Sequence, residues 1–176
     1  MFVWVGISLE DSMKNLTKDV INFSIKNNIS TPLENLPIHV SLRISFEIED
    51  NIFDSVEKEV INFLNKLKKF KISFIKIEKF HNIIWLRCKK TNELINAHNE
   101  LCLILKDKFN IPLHEFDNDF IYHSTLFMDD PCKIDSMFDE ISQLKFPKNT
   151  ISNKLLIGIS ESGNPNTFKI YKTIKI

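Results

Sequence analysis

Glycine is scarce in this chain, at 3 of 176 residues. That argues against loops that wrap phosphates with bare backbone, and neither G-x-G-x-x-G nor a P-loop occurs. Net charge is also missing: 23 Lys and Arg balance 23 Asp and Glu. A protein that grips long nucleic acid non-specifically usually carries basic excess, so the balance points to a small or short anionic ligand, or to a local basic patch. The densest basic run, Lys66-Leu67-Lys68-Lys69-Phe70-Lys71, reads as a solvated helix end. Cysteine is limited to Cys88, Cys102 and Cys132, an odd number without a C-x-x-C pair. This excludes a disulfide framework and a zinc ribbon, and it fits a reducing compartment. No apolar run approaches the roughly 20 residues of a membrane helix, and the opening MFVWVGI lacks a basic leader. A soluble, cytoplasmic protein with no membrane partner is the expectation.

What remains is an ordinary globular composition, 43% hydrophobic. A chain of this length buries on the order of 70% of its unfolded surface and needs no staples. Phe2–Ser8 reads as a buried strand. Asp11 or Ser12 is placed to cap a helix running to about Asn27, with Met13, Leu16, Val20 and Phe23 at helical spacing. A strand over Ile38–Ile48 follows Pro37, then an amphipathic helix over Ile52–Leu67. Lys71–Lys79 and Asn82–Lys89 read as strands joined at Phe80-His81. Thr91 caps a helix to about Phe109. A strand over Phe120–Met128, a short helix over Cys132–Leu144 and a closing hairpin of Lys154–Glu161 with Thr167–Ile174 complete the chain.

The order strand–helix–strand–helix thus occurs twice. Val3-Trp4-Val5 matches Ile84-Trp85-Leu86, and Asp54-Ser55-Val56 matches Asp135-Ser136-Met137, both at an offset of 81 residues. Internal repeats of about 1–80 and 81–176 follow, forming two pseudo-symmetric lobes of a single domain.

Each repeat carries the same small motif on its second strand: His39-Val40-Ser41-Leu42 and His123-Ser124-Thr125-Leu126. Side chains two apart on a strand share a face, so each motif presents an imidazole beside a hydroxyl. Histidine titrates near working pH, so one imidazole is suited to take a proton and the other to give one. The hydroxyls of Ser41 and Thr125 are suited to donate to non-bridging phosphate oxygens, where charge grows in the transition state. Hydrolysis of a phosphodiester by such a set requires no metal. Continuing the parity along each strand reaches Arg43 and Phe127. Arg43 either clamps a phosphate through its donor fork or pairs with an acid such as Glu47. Phe127 either stacks on a base or packs in the core.

The paired HVSL and HSTL motifs, with FVWVGIS and NIIWLRCKKTNELINAHNEL, resemble the 2H phosphoesterase superfamily, which includes RNA 2′,3′-cyclic phosphodiesterases, also called 2′-5′ RNA ligases. The resemblance spans nearly the whole chain. It implies an α+β bilobal fold, with two antiparallel sheets facing a central cleft and helices outside. It makes His39 and His123 the catalytic pair and Ser41 and Thr125 the phosphate-binding hydroxyls. It implies no cofactor, a nucleotide or short RNA as substrate, and a monomer. Three features depart from the commoner family pattern: Ser41 for threonine, Tyr122 where proline is frequent, and Phe127 where small or basic residues stand. Arg43, Tyr122 and Phe127 are therefore the residues expected to set substrate choice. Rival readings are a hydrolase of cyclic oligonucleotides or of ADP-ribose cyclic phosphate on the same fold, a binding module that holds RNA ends without cutting them, and an adaptor without a ligand.

Other histidines are weaker candidates. His98 lies on an apolar helix stripe with Leu94, Leu101 and Leu105, as a core histidine would. His81 sits at a turn. His114-Glu115-Phe116-Asp117-Asn118-Asp119 lacks the glycine and terminal glutamate of a calcium loop and reads as a solvated acidic loop near the cleft entrance.

Overall fold

The computed structural model describes the backbone of residues 1–176 and every side chain except that of Asn166. Strand β1 (Phe2–Ser8) leads into helix α1 (Glu10–Asn27) and strand β2 (His39–Glu47). Helix α2 (Phe53–Leu64) is followed by the hairpin β3 (Lys71–Phe80) and β4 (Ile83–Cys88), which turns on His81 at φ 51. Helix α3 (Asn92–Phe109), strand β5 (His123–Met128), helix α4 (Pro131–Ile141) and strands β6 (Asn149–Ile151), β7 (Lys154–Ser160) and β8 (Lys169–Lys175) complete the order.

The helices form where their apolar positions and caps dictate. Met13, Leu16, Val20 and Phe23 make the buried stripe of α1. Its start differs from the sequence expectation: Ser8 Oγ, not Asp11 or Ser12, accepts from the Glu10 N–H at the first turn. Thr91 caps α3 as its position suggests, accepting from Leu94 N. Both long helices end on an asparagine in the left-handed region, Asn28 and Asn110, a conformation that asparagine adopts more readily than most residues.

The strands form two antiparallel sheets of four, in the orders β2-β1-β7-β8 and β5-β4-β3-β6. The sheets face a central cleft and the helices cover their outer faces, giving a duplicated α+β fold. The sheets do not divide at residue 80. Strand β3, from the first half of the chain, joins the second sheet beside β4, while β7 and β8, from the second half, join the first sheet beside β1. The helices cross in the same way. Helix α1 lays Phe23 against Phe127 of β5, and α3 packs on β2. One continuous core therefore serves both sheets, from Val3 and Val5 to Leu126 and Ile157. No helix is long and apolar enough to cross a membrane.

Candidate active site

The two histidine motifs occupy equivalent edge strands, β2 and β5, which approach each other across the middle of the molecule. In each motif the chain exposes and buries alternate side chains: His39 and Ser41 are partly exposed while Val40 and Leu42 are buried, and His123 and Thr125 repeat this against Ser124 and Leu126. The imidazoles are held alike. His39 Nδ1 lies 2.8 Å from Pro37 O, and His123 Nδ1 lies 2.7 Å from Ile121 O. A carbonyl only accepts, so each Nδ1 carries the proton and each Nε2 is left as the lone-pair nitrogen. Neither Nε2 has a bonded partner among the described residues.

Each imidazole also lies on a tryptophan, His39 on Trp4 with centroids 4.4 Å apart and His123 on Trp85 at 4.2 Å. Burial pushes His39 down to about 4, and the neighbouring charge of His123 pushes the same way against the bond to Pro37. Burial also lowers His123, but there the bond to Ile121 and the charge of Glu78 oppose it. At neutral pH both rings are thus ready to accept a proton, and His123 has the closer anion to hold one.

Beyond the motifs, parity fails. In β2 the partner of Val5 is Arg43 and that of Gly6 is Ser41, so Leu42 is an extra residue. In β5 the partner of Ile84 is Phe127 and that of Trp85 is Thr125, so Leu126 is an extra residue in turn. Both motifs end in a β-bulge at the same place, and the residue after the leucine turns into the core instead of the cleft. Arg43 and Phe127, expected to contact substrate, are 2% and 0% exposed. Arg43 Nη1 pairs with Asp117 Oδ1 at 3.2 Å and Nη2 donates to Pro112 O at 3.1 Å. Its partner is therefore Asp117 and not Glu47. Phe127 packs edge-on against Phe23. Tyr122 is likewise turned inward, at 3% exposure, with its hydroxyl donating to Leu94 O. All three side chains are thus turned into the core and not toward the cleft.

A bulge leaves a carbonyl off the ladder, and both bulges here satisfy it with a side chain. His98 Nδ1 lies 2.7 Å from Leu42 O, and Thr31 Oγ1 donates to Leu126 O at 2.6 Å. His98 is the core histidine that its stripe suggests, and its task is to brace the first motif from behind. Sequence reasoning had no way to assign Thr31, since its partner lies 95 residues away. The connector from residue 114 to 119 is not simply a solvated acidic loop: Asp117 is buried, bonded to Arg43, and accepts from His114 N at 2.6 Å. His98, Cys102 and Asp117 stand close enough to ligate a metal. They do not fit one, because the Arg43 guanidinium already neutralises the carboxylate and both ring nitrogens of His98 face backbone oxygens.

A family model described as the 2′-5′ RNA ligase superfamily matches residues 13–157. None of the curated proteins compared matches this sequence. Among solved structures, Escherichia coli LigT complexed with 3′-AMP is 14% identical, with a TM-score of 0.58 over 99% of this chain and 96% of its own. TT0787 of Thermus thermophilus is 12% identical, with a TM-score of 0.66 over 99% and 97%. Usb1 of Kluyveromyces marxianus is 13% identical, with a TM-score of 0.51 over 99% and 98%. At such identities the likeness to these structures establishes the fold.

Proposed function

This chain belongs to the 2′-5′ RNA ligase superfamily, the 2H phosphoesterases, and on that premise we propose that it is a phosphodiesterase for 2′,3′-cyclic phosphates or 2′-5′-linked nucleotides at RNA ends. His39 and His123 serve as base and acid, and Ser41 and Thr125 hold the non-bridging oxygens. One observation carries this reading: two imidazoles at equivalent positions, each with Nδ1 spent on a carbonyl two residues back and Nε2 uncommitted. Nucleotide ligands in a neighbour of the same fold, 3′-AMP and ATP in LigT, support a nucleotide here.

In the hydrolytic direction, one neutral Nε2 removes a proton from water as the oxygen attacks phosphorus. The other histidine, protonated at Nε2, gives its proton to the departing ribose oxygen. The proton gained by the first equals that lost by the second, and ligation is the same path reversed. As each ring becomes an imidazolium, its Nδ1–H stays bonded to Pro37 O or Ile121 O, so it neither flips nor drifts. Each acid–base role is worth about 10²–10⁴-fold in rate. The hydroxyl donors add stabilisation where charge develops.

The test is a panel of 2′,3′-cyclic, 2′-5′ and 3′-5′ substrates, each run with and without EDTA. Turnover of a 2′,3′-cyclic or 2′-5′ substrate that survives EDTA, and that falls at least about 10²-fold in both His39→Ala and His123→Ala, is the expected result. Silence on every substrate, or full activity in either variant, defeats the proposal.

A further inference from the structure

The two walls of the cleft each stack a tryptophan on the motif histidine but are otherwise built from different residues. Trp4 and Trp85 each lie against a motif imidazole, but the ladder roots them two residues apart: Gly6 is the partner of Ser41, as Trp85 is of Thr125. Two residues beyond Trp4 stands Gly6, and across the sheet from Trp4 stands Gly158. Two residues beyond Trp85 stands Arg87, the partner of His123 as Ser8 is the partner of His39, and across the sheet from Trp85 stands Glu78.

On the first wall the glycines are a packing requirement. Trp4 lies flat on the sheet, so a Cβ on Gly6 would stand 2.5 Å from its ring and 2.9 Å from Val40 O, and a Cβ on Gly158 would fall inside the indole. Trp4 joins Leu36, Leu156 and Phe168 in an apolar cluster. No charged side chain bonds to Trp4 or His39 among the described residues.

The second wall is ionic. Arg87 Nη1 lies 3.0 Å from Glu78 Oε1, and Lys76 Nζ lies 3.0 Å from Oε2. Trp85 Nε1 donates to the same Oε1 at 3.0 Å. The Glu78 side chain is 16% exposed, but those of Arg87 and Lys76 are 42% and 61% exposed. One covered anion thus aligns two cations that still face solvent, leaving a surplus positive charge. Burial works against the charge on Glu78, yet its bonds to Trp85, Lys76 and Arg87 win and keep its carboxyl below the ordinary value. The pair is therefore ionised at neutral pH.

Position decides what this charge is for. Arg87 is the direct cross-strand partner of His123, and Trp85 that of Thr125. Directly opposed side chains share a face, with Cβ atoms about 4.5–5.5 Å apart. The guanidinium thus stands on the same face as the His123 imidazole and within its own length of it. Only Nη1 is engaged; Nη2 and Nε have no partner among the described residues. A simple exposed ion pair would contribute about 0–1 kcal/mol and gives no reason for this placement.

We propose that Arg87, aligned by Glu78, binds a second phosphate of the substrate beside the one held by the two histidine motifs. The substrate class is then a nucleotide with a phosphate beyond the scissile one, an oligonucleotide end or a nucleoside bisphosphate, in preference to a nucleoside cyclic monophosphate. The anionic side of the substrate lies over the His123 wall and the uncharged side over the Trp4 wall. This inference rests on the cleft being the nucleotide site, as proposed above.

The test is calorimetric titration of the whole protein with adenosine 3′,5′-bisphosphate and with adenosine 3′-monophosphate, at 0.15 M salt. A charge-assisted bond to the second phosphate predicts about tenfold or greater preference for the bisphosphate. Arg87→Gln, checked for an unchanged thermal melt, brings that ratio within about twofold by weakening the bisphosphate alone; Arg87→Lys keeps part of it because the charge remains without the fork. Equal affinities in the wild type, a preference that Arg87→Gln leaves intact, or binding of neither ligand overturns the inference. Arg87 would then serve only to balance Glu78. Because the readout is binding, it stands apart from the acid–base reading. Turnover without discrimination sinks this inference alone, and discrimination without turnover sinks the catalytic proposal alone.

Discussion

Asp117→Ala should cost this protein a large part of its stability. The carboxylate sits 3.2 Å from Arg43 Nη1, with the two side chains 2% and 3% exposed. At that burial and an effective dielectric near 20, the attraction of a unit pair about 4 Å apart is about 4 kcal/mol. Truncating Asp117 leaves the guanidinium buried with only Pro112 O and the face of Phe46 for company, and it orphans the His114 N–H. Breaking one side of a buried pair costs about 3–5 kcal/mol. For a chain of this size that is a fall of roughly 6–20 °C in melting temperature. Replacing both partners, Arg43→Met with Asp117→Leu, removes the stranded charge and should recover most of the loss. Urea titrations of the wild type, the single variant and the double variant, followed by circular dichroism, measure all three. A loss below about 1 kcal/mol in Asp117→Ala, or a double variant no better than the single, would refute the reasoning. If Arg43 were a phosphate clamp instead, Asp117→Ala would change ligand affinity and leave stability nearly untouched.

Two further outcomes follow from the site. His39 is held at about 4 in the folded protein against an ordinary 6.5. The unfolded chain therefore binds more protons across that interval, so stability is complete above pH 6.5 and drains away as the pH falls toward 4. Between pH 7.5 and 4.5 this one group should remove about 2.5 kcal/mol, and His39→Asn should show that much less pH dependence in urea titrations; identical slopes in both proteins would contradict it. Thr31→Val leaves the Leu126 carbonyl and the Leu33 N–H unbonded in a buried setting. It should cost about 1–3 kcal/mol and slow turnover by loosening Thr125, and an unchanged unfolding midpoint would count against the brace.

Much of this architecture is readable from the sequence because local chemistry and tertiary structure agree there. The strand Phe2–Ser8 and the Thr91-capped α3 fall where composition and capping place them. The paired motifs land on matching strands. The misreadings share a cause in interactions between distant residues. Alternation predicts that Arg43 and Phe127 face the cleft, and it fails because Leu42 and Leu126 are bulged, a feature set by the partner strands and by His98 and Thr31 behind them. Asp117 looks like a loop acid because its partner is 74 residues away. Phe120–Tyr122 has strand composition, but β5 begins only at His123, and Tyr122 spends its hydroxyl on α3. Strand β6, Asn-Thr-Ile, is too short and too polar to announce itself and exists by pairing with Lys71–Ser73. Arg87 and Glu78 carry no motif; it is the strand register that sets Arg87 beside His123 and Glu78 beside Trp85.

The exchange of strands between the two sheets has a consequence for how the protein is made. Val3 pairs with Phe46 on one side and with Ile159 on the other. On a ribosome the first partner emerges soon after β1, and the second only after β3 to β6 have also been synthesised. Until then β1 presents an open, apolar edge to every neighbouring nascent chain, at a synthesis rate of about 5–20 residues per second. Neither half can close its own sheet, so chaperone dependence should be decided by the arrival of β7, and any truncation before Lys154 should yield an aggregating fragment and not a smaller folded lobe.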